Sequence, residues 1–123
     1  MANSETILFN DLRKVTTDSV AAVLLKKGQT REALAELQQS DQLKPDMLET
    51  LLELGKAYLM ENQLEQAKKV YNRMIEIDDR DELAAAAHLQ LSQIYRKMGD
   101  PAEAEQHLKR VRELNSPKNP KVQ

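Results

Sequence analysis

One helical pattern occurs three times along the sequence. Each copy has an aliphatic residue beside a small one, then a large residue, then an alanine and a second large residue. The copies are Val20-Ala21, Leu24, Ala33, Leu37; Leu54-Gly55, Tyr58, Ala67, Tyr71; and Leu91-Ser92, Tyr95, Ala104, Leu108. Successive alanines are 34 and 37 residues apart. Repeats of this length with helical spacing predict a solenoid of helix pairs, an architecture that usually provides a binding surface.

Composition narrows the classes of function. The chain has 123 residues, enough for one domain, of which 41% are hydrophobic and 31% charged. The formal net charge of −2 argues against a strong non-specific grip on nucleic acid. The chain has no cysteine, which excludes a disulfide framework and a thiolate metal site. We therefore expect no nucleic-acid partner, no metal and no cofactor.

The first residues do not predict a secretion signal. Residues 1–5 lack the basic start and apolar run of a signal peptide. No apolar stretch approaches the roughly 20 residues that span a bilayer. These features predict a cytoplasmic protein without membrane insertion.

Turn and capping residues predict the helix ends. Gly28 and Gly99 lie at corresponding places in the first and third copies, and Asn62 takes this place in the second, because asparagine tolerates a left-handed turn. Asp100 followed by Pro101 predicts a helix start. Further starts are predicted at Thr30 and at two capping boxes, Asp46-x-x-Glu49 and Asp79-x-x-Glu82.

Apolar periodicity predicts the inner helix faces. In the second helix of the middle copy the predicted inner residues are Leu64, Ala67, Val70, Tyr71, Met74, Ile75 and Ile77. Val15, Val20, Val23 and Leu24 predict the helix that precedes Gly28. The longer spacing in the third copy, by about one helical turn, predicts that its first helix begins one turn early.

Neither histidine is predicted to act in catalysis. His88 occupies a large-residue core position, so we expect it to be packed, and His107 is expected at the surface. The acidic cluster Asp78, Asp79, Asp81 and Glu82 lacks the glycine and the spacing of a calcium loop, and is interpreted as helix capping in a solvated turn. We expect no enzymatic activity.

The pattern resembles that of the tetratricopeptide repeat (TPR) family, over roughly residues 14–117. In the family, Leu-Gly and Tyr mark the first helix, Gly marks the turn, and Ala and an aromatic residue mark the second helix. Leu54, Gly55, Tyr58, Ala67 and Tyr71 match this pattern best, and Ser92 departs from it. The resemblance implies an all-α, right-handed superhelical solenoid of about three helix-turn-helix repeats, approximately 14–47, 48–81 and 82–117. Residues 1–13 are expected to form a helical extension or cap, and 118–123 a flexible tail.

The resemblance also implies a site, because family members bind peptides or helices of partner proteins in a groove lined by the first helix of each pair. The corresponding residues here are Leu25, Glu49, Leu52, Glu53, Lys56, Leu59, Met60, Leu89, Gln90, Gln93, Arg96 and Lys97. One subgroup grips acidic chaperone tails with Lys, Asn and Arg. The matching places hold Asp18, Ala22, Glu53, Ala86 and Gln90, so we reject that clamp.

Two functions remain open. The first is an adaptor or scaffold whose groove binds a peptide or amphipathic helix of another protein. The second is a structural role through self-assembly into a homo-oligomer. The apolar residues Ile7, Leu8, Phe9 and Leu12 offer a further alternative, in which the N-terminal segment covers some of the groove leucines.

Overall fold

The computed structural model describes residues 20–80 and 82–116. These residues form helices joined by short turns, with no strand among them. The first helix, α1, is described over residues 20–26. The others are α2 (Thr30–Leu43), α3 (Leu48–Met60), α4 (Leu64–Ile77), α5 (Glu82–Lys97) and α6 (Pro101–Leu114). The predicted all-α class is confirmed.

The chain divides into two compact units, Met1–Gln63 and Leu64–Gln123. In the first unit α2 packs against α3. Gln38 Nε2 of α2 donates a hydrogen bond to the hydroxyl of Tyr58 in α3, at 3.2 Å. The buried apolar residues of this unit are Ala21, Leu25, Ala33, Leu37, Leu51, Leu54 and Ala57.

In the second unit α5 packs against both α4 and α6. Ser92, which departs from the family's glycine, is buried, and its hydroxyl donates to the Leu89 carbonyl at 2.6 Å. That bond to its own helix satisfies the polar atom that the substitution introduces. The buried apolar residues of this unit are Ala67, Val70, Tyr71, Met74, Ala84, Ala87, Leu91, Ile94, Ala104 and Leu114.

The turns after α1, α3 and α5 share one geometry. Gly28, Asn62 and Gly99 have φ of 79°, 57° and 82°. In each turn this residue donates its N–H to the carbonyl three residues back, and the next residue donates to the carbonyl five residues back. This pair of bonds is the Schellman motif, which closes a helix on a left-handed residue. The predicted equivalence of the three positions is confirmed.

The predicted N-cap Asp100 is confirmed, and α2 begins at Thr30 as predicted, but Thr30, Asp46 and Asp79 are not N-caps. Asp100 caps α6 by accepting a hydrogen bond from the Glu103 backbone N–H at 3.2 Å, with Pro101 in the first turn. At α2 the N-cap is Gln29 rather than Thr30, which is the first helical residue. At α3 the N-cap is Met47, because Asp46 adopts a φ of 63° that places it before the helix.

Asp79 is likewise not a cap. The helix α5 begins at Glu82, so Asp79 lies in the preceding turn, where its carboxylate contacts His88 and Arg110. Relative to the shared motif, α5 still begins three residues earlier than α3, as the longer spacing predicted.

Two predicted inner faces need correction. Val20 and Val23 are exposed, whereas Ala21 and Leu25 of the same helix are buried. At about 100° per residue, Ala21 and Leu25 share one side of α1 and the valines point away from it. Ile77, at the end of α4, is also exposed, at 41%.

Several predictions fall on residues outside the described ranges. These are Ile7, Leu8, Phe9, Leu12, Val15, Asp18, Asp81 and the segment 118–123. The proposed division into an extension, three repeats and a tail stays a prediction.

Candidate partner-binding surface

In the first unit, the predicted binding residues of α3 share one helix face. Glu49, Leu52, Glu53, Lys56 and Met60 follow the three- and four-residue spacing that stacks side chains along a helix. The other side of α3 supplies the buried residues Thr50, Leu51, Leu54, Gly55 and Ala57. The predicted face is therefore the side of α3 that remains accessible within this unit.

This face combines apolar and charged groups. Leu52 and Leu59 are half-buried, and Met60 is 52% exposed. Lys56 Nζ lies 3.3 Å from Glu53 Oε1, in an ion pair one turn apart. Glu49 adds a second carboxylate, which leaves this face acidic.

In the second unit, the predicted residues of α5 also share one face. Leu89 is 40% exposed and is followed along the helix by Gln93, Arg96 and Lys97, all exposed, while Gln90 is half-buried. No acidic residue stands among these five predicted positions, so this face is basic where the α3 face is acidic.

Leu25 lies apart from the rest of the predicted set. It is 8% exposed and belongs to the core of the first unit. The accessible part of the predicted set thus comes from α3 and α5.

A cavity of about 270 Å³ lies at the start of α2. Within the described part of the first unit it contains none of the predicted binding residues. Arg31 Nε stands 3.9 Å from Glu61 Oε2 at its edge. Its lining is Gly28, Gln29, Thr30, Arg31, Glu32 and Glu61.

The second unit also contains a polar cluster between α5 and α6. His88 Nδ1 lies 2.7 Å from His107 Nδ1, and His88 Nε2 lies 2.6 Å from Asp79 Oδ1. The ring of Tyr95 stacks on that of His107, with centroids 5.4 Å apart and planes inclined by 7°. His88 is buried as predicted, whereas His107, predicted at the surface, has a side chain only 15% exposed.

Arg110 ties this cluster to the turn before α5. Its Nη2 donates to the Asp79 carbonyl at 3.0 Å, and its Nε lies 3.2 Å from Asp79 Oδ2. Its Nη1 donates to Glu113 at 3.2 Å. Asp79 thus lies in a turn with its side chain 43% exposed, and its carboxylate joins His88 to Arg110 instead of capping α5.

The pKa of His107 is lowered from its ordinary value of 6.5. Burial is the main cause, and the neighbouring His88 adds to it, while Glu103 and Asp79 act in the opposite direction. One feature of the sequence does indicate that His107 is largely buried. His107 lies three residues after the buried Ala104, so it occupies the face of α6 that is turned to the core.

The described residues contain neither a candidate metal site nor a helix that could span a membrane. Across 20–80 and 82–116 no group of three or more His, Asp or Glu side chains is arranged to hold a metal ion. None of the helices described there is long and apolar enough to cross a membrane.

Short helices joined by tight turns, three of which share one geometry, define an α-helical repeat protein. Tetratricopeptide repeat family models match residues 24–91 and 85–117. The chain belongs to the tetratricopeptide repeat family.

One known protein is similar in sequence to part of this chain. The chain is 33% identical over 78 residues to the peptidyl-prolyl cis-trans isomerase PASTICCINO1 of Arabidopsis thaliana, a match covering 63% of this chain and 12% of the isomerase. The chain thus corresponds to a small part of that enzyme.

Two solved structures share the fold. The type III secretion translocator chaperone SycD of Yersinia enterocolitica superimposes with a TM-score of 0.78 at 21% identity, over 85% of this chain and 77% of SycD. MamA of Desulfovibrio magneticus RS-1 gives a TM-score of 0.77 at 25% identity, over 85% of this chain and 58% of MamA. SycD has also been solved in complex with a peptide of the translocator YopD.

Proposed function

We propose that the chain is a non-catalytic protein-interaction adaptor. It binds a peptide or amphipathic helix of a partner protein through the accessible faces of α3 and α5, in the groove predicted from the sequence. The observation that carries this proposal is the exposure of Met60 and Leu89, two large apolar side chains that share their helix faces with charged residues. Covering the part of each side chain that is still exposed would be favourable by about 1 kcal/mol.

The charges on the two faces indicate which side chains the bound segment would carry. Apolar side chains of the bound segment would cover Met60 and Leu89. Basic residues suit the carboxylates of α3, and acidic residues suit Arg96 and Lys97 of α5. The peptide bound by SycD, a protein of the same fold, supports this type of ligand.

A non-catalytic role accords with the histidines of the second unit. The Nδ1 atoms of His88 and His107 contact each other, and Nε2 of His88 contacts Asp79. Both ring nitrogens of His88 are occupied by these contacts, so His88 has none left to act on a substrate. The match to PASTICCINO1 spans 12% of that isomerase, so the enzyme's name is not transferred to this chain.

The test uses peptides selected from a random phage-displayed library against the full chain. The affinity of a selected peptide is measured by fluorescence anisotropy for the wild type, Leu89→Glu and Ile77→Glu. Leu89 and Ile77 are exposed to 40% and 41%, and Ile77 lies on α4, outside the predicted face. We expect Leu89→Glu to weaken binding roughly tenfold or more and Ile77→Glu to leave it unchanged.

Circular dichroism of both variants controls for folding. Equal weakening by the two substitutions, with helicity retained, would contradict the assignment of α5 as a binding helix. Loss of helicity in Leu89→Glu alone would mean that Leu89 supports the fold, and Met60→Glu would then serve as the test on α3.

Self-assembly is the second candidate, favoured by apolar side chains exposed outside the predicted face. Val20 and Val23 on α1 and Ile77 on α4 are examples. SycD has been crystallised as an alternative dimer. Size-exclusion chromatography with light scattering decides this point, since a mass of one chain at high micromolar concentration would exclude a homo-oligomer.

A further inference from the structure

We propose that the His88–His107 contact is a pH-sensitive latch, which holds α6 on α5 at neutral pH and loosens when both rings are protonated. The latch is a property of the second unit and goes beyond partner binding.

The two short contacts of His88 determine where the ring protons of His88 and His107 lie. The 2.7 Å separation between the two Nδ1 atoms leaves room for one hydrogen, so one ring donates and the other accepts. Asp79 Oδ1 accepts from His88 Nε2 at 2.6 Å. In the neutral pair, therefore, His88 carries its proton on Nε2 and accepts at Nδ1 from the Nδ1–H of His107.

One additional proton fits this arrangement. His88 holds it, with Nε2–H facing Asp79 Oδ1 at 2.6 Å and Nδ1–H directed at His107 Nδ1. The hydrogen of His107 then lies on Nε2, which faces Glu103 Oε2 at 4.0 Å. A second additional proton does not fit, because both Nδ1 atoms would then carry hydrogens directed at each other across 2.7 Å. The contact would lose its acceptor and place two positive rings side by side.

The surrounding carboxylates only partly offset that conflict, since the pKa of His107 is still lowered. Asp79 faces His88 from the turn between α4 and α5, and Glu103 faces His107 from α6. Arg110 of α6 already engages Asp79, and Lys68 of α4 lies 5.8 Å from the centre of the Tyr95 ring that stacks on His107. Both cations therefore oppose further positive charge on the pair.

The direction of the pH effect follows from burial. Burial and the neighbouring His88 lower the pKa of His107 below 6.5, so the unfolded chain binds this proton more readily than the folded chain does. The contribution of His107 to stability is complete above pH 6.5. It decreases as the pH falls below 6.5 and levels off once the pH is below the lowered pKa.

The first experiment is thermal unfolding of the full chain, followed by circular dichroism at pH about 7.5 and about 5.5, on either side of the ordinary histidine pKa. The chain has only two histidines, so little else titrates in this interval. We expect the wild-type Tm to be measurably lower at the acidic pH, because the unfolded chain takes up the His107 proton more readily. In His107→Gln, whose amide keeps a polar group but takes no proton, we expect that difference to be largely lost.

The second experiment needs no variant to be stable. Nitrogen-15 NMR of the imidazole rings in the wild-type chain reports the tautomer and titration of each histidine. We expect His107 to carry its proton on Nδ1 at neutral pH and to titrate below 6.5. Where His88→Gln folds, the pKa of His107 should rise, because the neighbouring positive charge is gone.

Two results would overturn the proposal. One is a wild-type Tm that is equal at the two pH values. The other is a pair of rings that titrate independently at the ordinary histidine pKa.

Discussion

Asp100 and Gln29 hold the same position, before α6 and α2, yet only Asp100 makes a capping bond. Its carboxylate accepts from the Glu103 N–H at 3.2 Å, whereas the Gln29 side chain caps nothing. We predict that Asp100→Ala lowers the free energy of unfolding by about 1 kcal/mol, the usual value of a lost N-cap.

The matched control is Gln29→Ala, for which we expect a change near zero. Urea denaturation of the two variants measures both. Asp100→Asn, which keeps the acceptor oxygen, should retain most of the stability. Equal losses at residues 29 and 100 would show that the bond at α6 contributes nothing.

At this scale, local signals predicted only part of the structure. The left-handed turn residues and the Asp100 cap were predicted because their conformations depend on neighbouring residues alone. The capping box at Asp79 failed because its carboxylate is engaged by His88 and Arg110, residues 9 and 31 positions away. A short motif does not reveal such competition.

At the scale of helices, small residues mark the places where helices pack closely. Ala104 is buried in α6, which packs on α5, whereas Ala102 of the same helix is exposed. We predict that Ala104→Leu lowers the free energy of unfolding by about 1–3 kcal/mol, because the added atoms overfill a packed interface.

Ala102→Leu is the control, since leucine and alanine differ little in helix propensity. Urea denaturation compares the two variants. A loss no larger for Ala104→Leu than for Ala102→Leu would mean that α6 is not closely packed at that point.

Helix positions were predictable because each depends on a period within the sequence. The spacing of the marker alanines anticipated that α5 begins early. The exposed side of α1 was not anticipated, because Val20 and Val23 fit an apolar stripe as well as Ala21 and Leu25 do. The contact of His88 with His107 also escaped prediction, because it depends on how α5 and α6 are aligned.

At the scale of the whole molecule, the sequence predicted the family and the accessible helix faces. Most of the predicted binding residues lie at accessible positions on α3 and α5, while Leu25 lies in the core. The pattern of apolar residues in the sequence does not distinguish a leucine that packs within a repeat from a leucine that remains accessible. The identity of the partner depends on residues of another molecule.

The measurement that tests the adaptor account most directly is a nitrogen-15 amide NMR titration of the full chain with a library-selected peptide. The account predicts that the largest shifts occur along α3 and α5, around Met60, Leu89 and Arg96. Shifts confined to α4 and α6 would contradict it.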